Sequence, residues 1–203
     1  YGGSKNSSED SFSPKDEIKY WFSDFEASKW LKKGFSKKDM DIYMSPPIDE
    51  ILSKKINRKF WSYYNLWDPQ EHYYYSAKNT GFKPNPDGRS EGTYSKYASL
   101  DDAIDGFHFY FMYLKFGIAR ATSDAAHEIR DKHLTRKEAV KLVKKYDGEF
   151  PKKNFDNFLN FTNLKEDEFY DIVDSFRPQH LWEKTGNDFK YASNWKLKDP
   201  IFK

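Results

Sequence analysis

Apolar positions recur at three- and four-residue steps through most of the second half of the chain, and this periodicity predicts helices. Leu100, Ile104, Phe107, Phe111, Leu114 and Ile118 form one core-facing stripe, opened by Ser99-Leu100-Asp101-Asp102 as a capping box and interrupted at Gly117. A second helix is expected over about 121–131. Thr135-Arg136-Lys137-Glu138 is a cleaner capping box for a third, which carries Ala139, Val140, Leu142, Val143 and Tyr146 and stops at Asp147-Gly148. Phe155, Phe158, Leu159 and Phe161 predict a short helix, and Phe169, Ile172, Val173 and Phe176 another that ends at Pro178. Trp182, Phe189, Tyr191 and Trp195 among polar residues predict a terminal hairpin.

The first half is less regular. Ile18, Trp21, Phe22 and Phe25 fit helical spacing, Gly34 fits a stop, and short helices are expected near 36–43 and from Pro47. The ring-rich run 60–75, Phe60-Trp61-Ser62-Tyr63-Tyr64 to His72-Tyr73-Tyr74-Tyr75, favours strand or a packed irregular segment, with Asp68-Pro69 as punctuation. Residues 76–95, rich in Gly, Pro, Asn and Ser, predict a long loop, and loops of that length in compact domains are usually functional or disordered.

Composition adds one constraint. The chain has 203 residues with 6 Trp, 15 Tyr and 18 Phe, yet its mean hydropathy is −0.98. The core must therefore be built largely from rings. The formal charge of +2 supplies no global field for nucleic acid or an anionic membrane. There is no cysteine, which excludes disulfides and thiolate metal sites and fits a cytoplasmic location. No apolar run reaches the length of a membrane span, and no signal peptide opens the chain. The five histidines lack metal-ligand spacing among themselves.

Two stretches carry candidate chemistry. In Asp87-Gly88-Arg89-Ser90-Glu91-Gly92-Thr93-Tyr94-Ser95-Lys96, glycines admit close backbone approach and Arg89 and Lys96 offer charge to a phosphate; a solvated turn is the alternative. In Lys115-Phe116-Gly117-Ile118-Ala119-Arg120-Ala121-Thr122-Ser123-Asp124, helical pitch sets Arg120 and Asp124 on one face, and a helix restarting near Thr122 would present free amides as an anion site. The alternative there is a surface Arg–Asp pair.

These stretches also carry a resemblance. The strings from His72 to Tyr97, Ser99 through Arg120-Ala121-Thr122 to Glu128-Ile129-Arg130, Tyr146-Asp147-Gly148-Glu149-Phe150-Pro151, and His180-Leu181-Trp182 resemble bacterial N-acetyl sugar amidotransferases. The resemblance covers about 72–184. It implies the mainly α, C-terminal helical part of a PP-loop α/β enzyme whose parallel sheet lies mostly outside these residues.

The chemistry it implies consumes ATP, with Mg2+. The amide oxygen of a sugar N-acetyl group attacks ATP to form an adenylate with loss of pyrophosphate, and ammonia then displaces AMP, turning acetamido into acetamidino. Ammonia would come from glutaminase subunits resembling those of imidazole glycerol phosphate synthase. The products would enter LPS O-antigen or the nonulosonic acids of flagellin glycosylation. The family's Ser-Gly-Gly-x-Asp-Ser phosphate loop is absent: Gly2-Gly3-Ser4-Lys5 lacks the Asp-Ser. This chain alone is therefore expected to be inactive, with ATP bound mainly by an N-terminal half it lacks.

On this reading Arg89, Lys96, Lys115 and Arg120 meet sugar-nucleotide or ATP phosphates, and Glu91 and Asp124 hold sugar hydroxyls or orient the arginines. Catalytic residues are not assigned. Arg177, near a helix end, is expected to be neutral for activity. The expected organisation is a variable segment 1–75, a loop 76–98, a helical region 99–180 and a tail 181–203. The competing reading is a stand-alone helical interaction module that presents rings such as Trp21, Trp30 and Trp67 to a partner.

Overall fold

The computed structural model describes residues 11–12, 28–44, 46–186 and 194–198, and divides into two units, Tyr1–Trp67 and Asp68–Lys203. The helix expected at Ile18–Phe25 lies outside the described residues, as do Trp21, Phe189 and Tyr191 of the other expectations.

The first unit is built from short elements. Strand β1 (Ser11–Phe12) pairs antiparallel with β2 (Arg58–Lys59). Between them come α1 (Ser28–Leu31), α2 (Lys37–Met40) and α3 (Ile48–Ser53), with α4 (Trp61–Tyr64) after β2. Helix α2 starts where Ser36 and Asp39 cap each other: the Asp39 amide donates to the Ser36 hydroxyl at 3.3 Å and the Ser36 amide to the Asp39 carboxylate at 3.1 Å. The segment 60–75 is not strand: it holds α4 and the first turns of a second helix, with 65–68 irregular between them. Asp68 accepts from the Glu71 amide at 2.9 Å and Pro69 supplies a first-turn residue with no amide to satisfy, so this Asp-Pro pair starts helix α5 (Pro69–Asn79) in the second unit.

The rest of the second unit is α6 (Asp105–Phe116), α7 (Arg120–Arg130), α8 (Arg136–Tyr146), α9 (Phe155–Thr162), α10 (Glu166–Ser175), and the antiparallel strands β3 (Trp182–Lys184) and β4 (Trp195–Leu197). The described residues are mainly helical. The Thr135 box caps α8 as its sequence indicates: the Glu138 amide donates to the Thr135 hydroxyl, and the Thr135 amide donates to Glu138 at 2.9 Å.

The Ser99 box does not form. Ser99 has φ +54°, its hydroxyl bonds Asp105, and α6 begins only at Asp105, which leaves Leu100 exposed. The stripe proper runs Phe107, Tyr110 and Leu114. These residues join Phe169, Val173 and Trp182 in a core flanked by Phe111, Phe150, Phe155 and Phe158. Phe107 stacks on Phe158 at 4.0 Å and meets Phe169 edge-on at 5.9 Å, so rings do fill the core. The Trp182 indole donates to the Leu114 carbonyl at 2.7 Å, tying β3 to the end of α6. Gly117, at φ +72°, closes α6 in the left-handed conformation and lets the chain turn directly into α7. Helices α7 and α8 share a second small core, Ala125, Ala139 and Val143, covered by Tyr94 and Leu134.

Candidate functional site

The Gly- and Pro-rich segment between α5 and α6 is fastened, and charges do the fastening. Arg89 makes a two-pronged bond to Glu149, at 2.6 and 2.7 Å, and its guanidinium lies 4.5 Å from the Tyr146 ring centre. Glu149 also accepts from the Gly92 amide at 3.0 Å. Gly92 has φ +83°, and a Cβ there would sit 3.2 Å from Phe109, so glycine is what lets the loop lie against α6. Glu91 accepts from the Lys153 amide at 3.0 Å, and the Lys153 ammonium bonds Asp87 at 2.6 Å.

A second network lies at the start of α7. The buried Thr93 hydroxyl donates to Asp124 at 2.7 Å, and Arg120 Nε donates to the other oxygen of Asp124 at 2.7 Å. Arg89 also reaches the Thr93 carbonyl at 3.3 Å. The two arginines are thus linked through one residue, Thr93. The terminal nitrogens of Arg120 bond none of the described side chains, and its guanidinium lies 5.6 Å from the centre of the Phe109 ring.

The amides at the start of α7 are not free. Helix α7 restarts at Arg120, and Asp147 takes the amides of Ala119 at 3.0 Å and Thr122 at 3.2 Å together with the Thr122 hydroxyl at 2.5 Å. The anion site expected there is filled by the chain's own carboxylate. Burial pushes the Asp147 carboxyl above its ordinary range despite these donors. Burial likewise raises Glu128 and the phenol of Tyr94, whose hydroxyl has no partner among the described residues.

Lys96 is exposed, and its carbonyl accepts from the Asn85 amide at 2.9 Å. Lys115 is exposed at the far end of α6, its ammonium 5.5 Å from the Phe116 ring and 5.7 Å from that of Phe176. Of the six candidates, the structure joins Arg89, Arg120 and Asp124 in one bonded network, and Glu91 ties the same loop to Lys153.

Glu149 gives this network a pH signature. Burial alone would raise its carboxyl; the bonds from Arg89 and the Gly92 amide outweigh burial and hold it below the ordinary value of 4.5. A depressed carboxylate contributes stability that is complete above its unfolded value and is lost as pH falls through the folded one. Glu149→Gln is expected to lower the melting temperature at pH 7, and the gap from the parent should close on acidification below pH 4.5. Melting curves across that range check this.

Beside the network lies an open cleft of about 690 Å³, walled by 83–87, 89–90, 99–103, 105–106 and 153–154. Sequence reasoning named no binding role for Thr93, Asp147 or Glu149; Asp147 was read only as part of a helix stop. The only available signal was the Tyr146–Pro151 string, where the acidic partners stand without any local mark of what they bond.

No group of three or more His, Asp or Glu among the described residues is placed to hold a metal ion. No described helix is long and apolar enough to cross a membrane. No curated protein matches the chain. Residues 91–198 match the family model described as LPS biosynthesis protein WbpG-like, C-terminal domain. That match covers more than half of the sequence and takes in Thr93, Arg120, Asp124, Asp147 and Glu149. The chain accordingly belongs to the WbpG-like C-terminal domain family of lipopolysaccharide biosynthesis proteins.

Proposed function

We propose that this chain is the C-terminal part of an ATP-dependent N-acetyl sugar amidotransferase, which converts an acetamido to an acetamidino group during surface-polysaccharide assembly. Two things support the reading: membership of an LPS biosynthesis family, and the resemblance over about 72–184. The observation that carries it is Arg120. Asp124 fixes the guanidinium through Nε, and Thr93 in turn fixes Asp124. The two terminal nitrogens remain to grip a phosphate of the sugar nucleotide or of ATP. Arg89 is spent on Glu149, so its part is to set the loop, with Glu91 anchoring the loop's other side. Lys96 and Lys115 are left as exposed, longer-range charges.

ATP and Mg2+ would be held by an ATP-binding half outside these residues. Ammonia would arrive from a glutaminase subunit. The residues here bind and orient the sugar nucleotide.

The test is the reaction itself in the protein that joins this chain to its ATP-binding half. UDP-N-acetylglucosamine or another N-acetyl sugar nucleotide, ATP and an ammonium salt should yield AMP, pyrophosphate and a sugar in which nitrogen replaces the acetamido oxygen. Arg120→Ala should lower turnover tenfold or more, since a charge-assisted hydrogen bond is worth about 1.5–3 kcal/mol. Unchanged kinetics with unchanged folding would remove Arg120 from the site.

The interaction-module reading draws on the exposed rings of the first unit, among them Trp30 and Trp67. It predicts no sugar conversion with any N-acetyl substrate.

A further inference from the structure

Helix α8 carries a concentration of charge that the near-neutral chain conceals. Of its 11 residues, Arg136, Lys137, Lys141, Lys144 and Lys145 are cations and Glu138 is the one carboxylate. All five cations are exposed. At about 100° per residue, Lys137, Lys141, Lys144 and Lys145 fall within an arc of about 100°, opposite the buried Ala139 and Val143 that pack on α7. The four lysines therefore share the outward face, along about 12 Å of helix. Arg130 at the end of α7 and Lys132 in the following turn are also exposed.

The fold leaves most of this charge unanswered. Glu138 is taken up by the Thr135 cap, whose amide and hydroxyl donate to it at 2.9 and 2.6 Å. Lys137, Lys141 and Lys145 form no ion pair with a described carboxylate, and Lys145 lies 5.0 Å from the centre of the Tyr146 ring.

The side-chain types narrow the partner. Lysine is a strongly hydrated point charge on a flexible stem, so it suits a diffuse field of charge better than a fixed fork of acceptors, and it is depleted in protein–protein interfaces. No ring stands among the outward lysines to stack on a base, as binding of single-stranded nucleic acid requires. The apolar side of α8 is packed on α7, so the outward face has nothing to insert into an acyl layer. What fits is a layer of anionic headgroups met from outside. The net charge of +2 does not oppose this, because screening limits such a layer to a reach of about 10 Å, within which it meets α8 and not the sum of the chain.

We infer that the lysine face of α8 is a peripheral docking surface for an anionic lipid bilayer, held by charge alone and reversed by salt. This inference goes beyond the amidotransferase reading and does not rest on it.

The experiment is co-sedimentation of the full chain with mixed phosphatidylglycerol–phosphatidylcholine vesicles, with pure phosphatidylcholine vesicles as the neutral comparison. The chain should pellet with the anionic vesicles at low salt, stay in solution with the neutral ones, and be released at about 1 M salt, where the screening length falls to about 3 Å. A lysine at an anionic leaflet strengthens binding about fivefold, so Lys137→Gln, Lys141→Gln and Lys145→Gln together should weaken it about a hundredfold. Glutamine keeps helix propensity, so this triple variant should melt as the parent does. Glutamines in place of Lys33, Lys37 and Lys38, exposed in the first unit, lower the formal charge equally, from +2 to −1, and should leave binding close to the parent's.

A parent chain that ignores the anionic vesicles at low salt would overturn the proposal. So would a folded α8 triple variant that binds as tightly as the parent, or an equal loss in both triple variants. An oligonucleotide duplex that strips the chain from the vesicles at equal phosphate concentration would assign the face to nucleic acid instead. If the α8 triple variant unfolds, Lys141→Gln alone must still weaken binding severalfold, and failure to do so counts equally against the proposal.

Discussion

Replacing Phe169 by alanine should cost the second unit about 3–5 kcal/mol of stability, as is usual for deleting a fully buried aromatic ring. Its ring is 0% exposed. It meets Phe155 at 5.0 Å, Phe158 at 5.7 Å and Phe107 at 5.9 Å, each in an edge arrangement. The ring thus joins α6, α9 and α10. Each edge-on pair is worth about 0.5–1.5 kcal/mol beyond buried area, so the loss should fall toward the upper end. Urea unfolding of the full chain measures it. A loss below about 1 kcal/mol would mean that the rings are not packed as described, since even an Ile→Val trim in a close-packed core costs that much.

The second large effect concerns Arg177. Read from sequence, this residue near a helix end is a natural control, expected to be neutral for activity. The structure gives it a structural task. Its side chain is 3% exposed, bonds Asp174 at 2.6 Å, and lies 5.7 Å from the Trp182 ring centre and 5.3 Å from that of Trp195. It therefore sits against both strands of the terminal pair. Removing one partner of a buried ion pair costs about 3–5 kcal/mol. Here Asp174 is 45% exposed and keeps the Trp195 indole as a donor at 3.0 Å, which lowers the figure. We expect about 2–3 kcal/mol for Arg177→Ala, combining that reduced pair term with lost ring contacts. The loss should be seen as a lower melting temperature together with a shift in tryptophan emission as β3 and β4 loosen. An unchanged melting temperature would refute this. Arg177→Ala is in either case no longer a suitable activity control.

How much of this was legible beforehand depended on the range of the interaction. The Thr135–Glu138 cap, the break at Gly117 and the Phe107–Phe111–Leu114 stripe are local, and the helices they imply are present. The ring-rich run 60–75 misled because β-propensity reports packing context, whereas Asp68 and Pro69 act directly on the backbone at the start of α5. The false cap at Ser99 failed for a related reason: Ser99 turns to Asp105, six residues on, instead of to a residue three ahead.

The candidate site was legible in its cations and not in their partners. Arg120 and Asp124, four apart, could be paired on sight. Arg89 and Glu149 stand 60 residues apart, and nothing in the local pattern around either marks the other. Likewise, Asp147 at the end of α8 fills the amides of α7 only because the two helices pack on Ala125, Ala139 and Val143. Acidic residues in a loop after a helix read as solvated until the fold brings donors to them.

The reading depends most on Arg120, held through Nε by Asp124 and Thr93, as the grip on a phosphate of the sugar nucleotide. Titrating UDP-N-acetylglucosamine into the 15N-labelled full chain tests this most directly. We expect saturable shifts of the amides around Thr93 and Arg120–Asp124 that are lost in Arg120→Ala, with the amides around the Phe107–Phe169 core unmoved. Shifts that persist unchanged in a folded Arg120→Ala variant, or that fall only outside those positions, would contradict it.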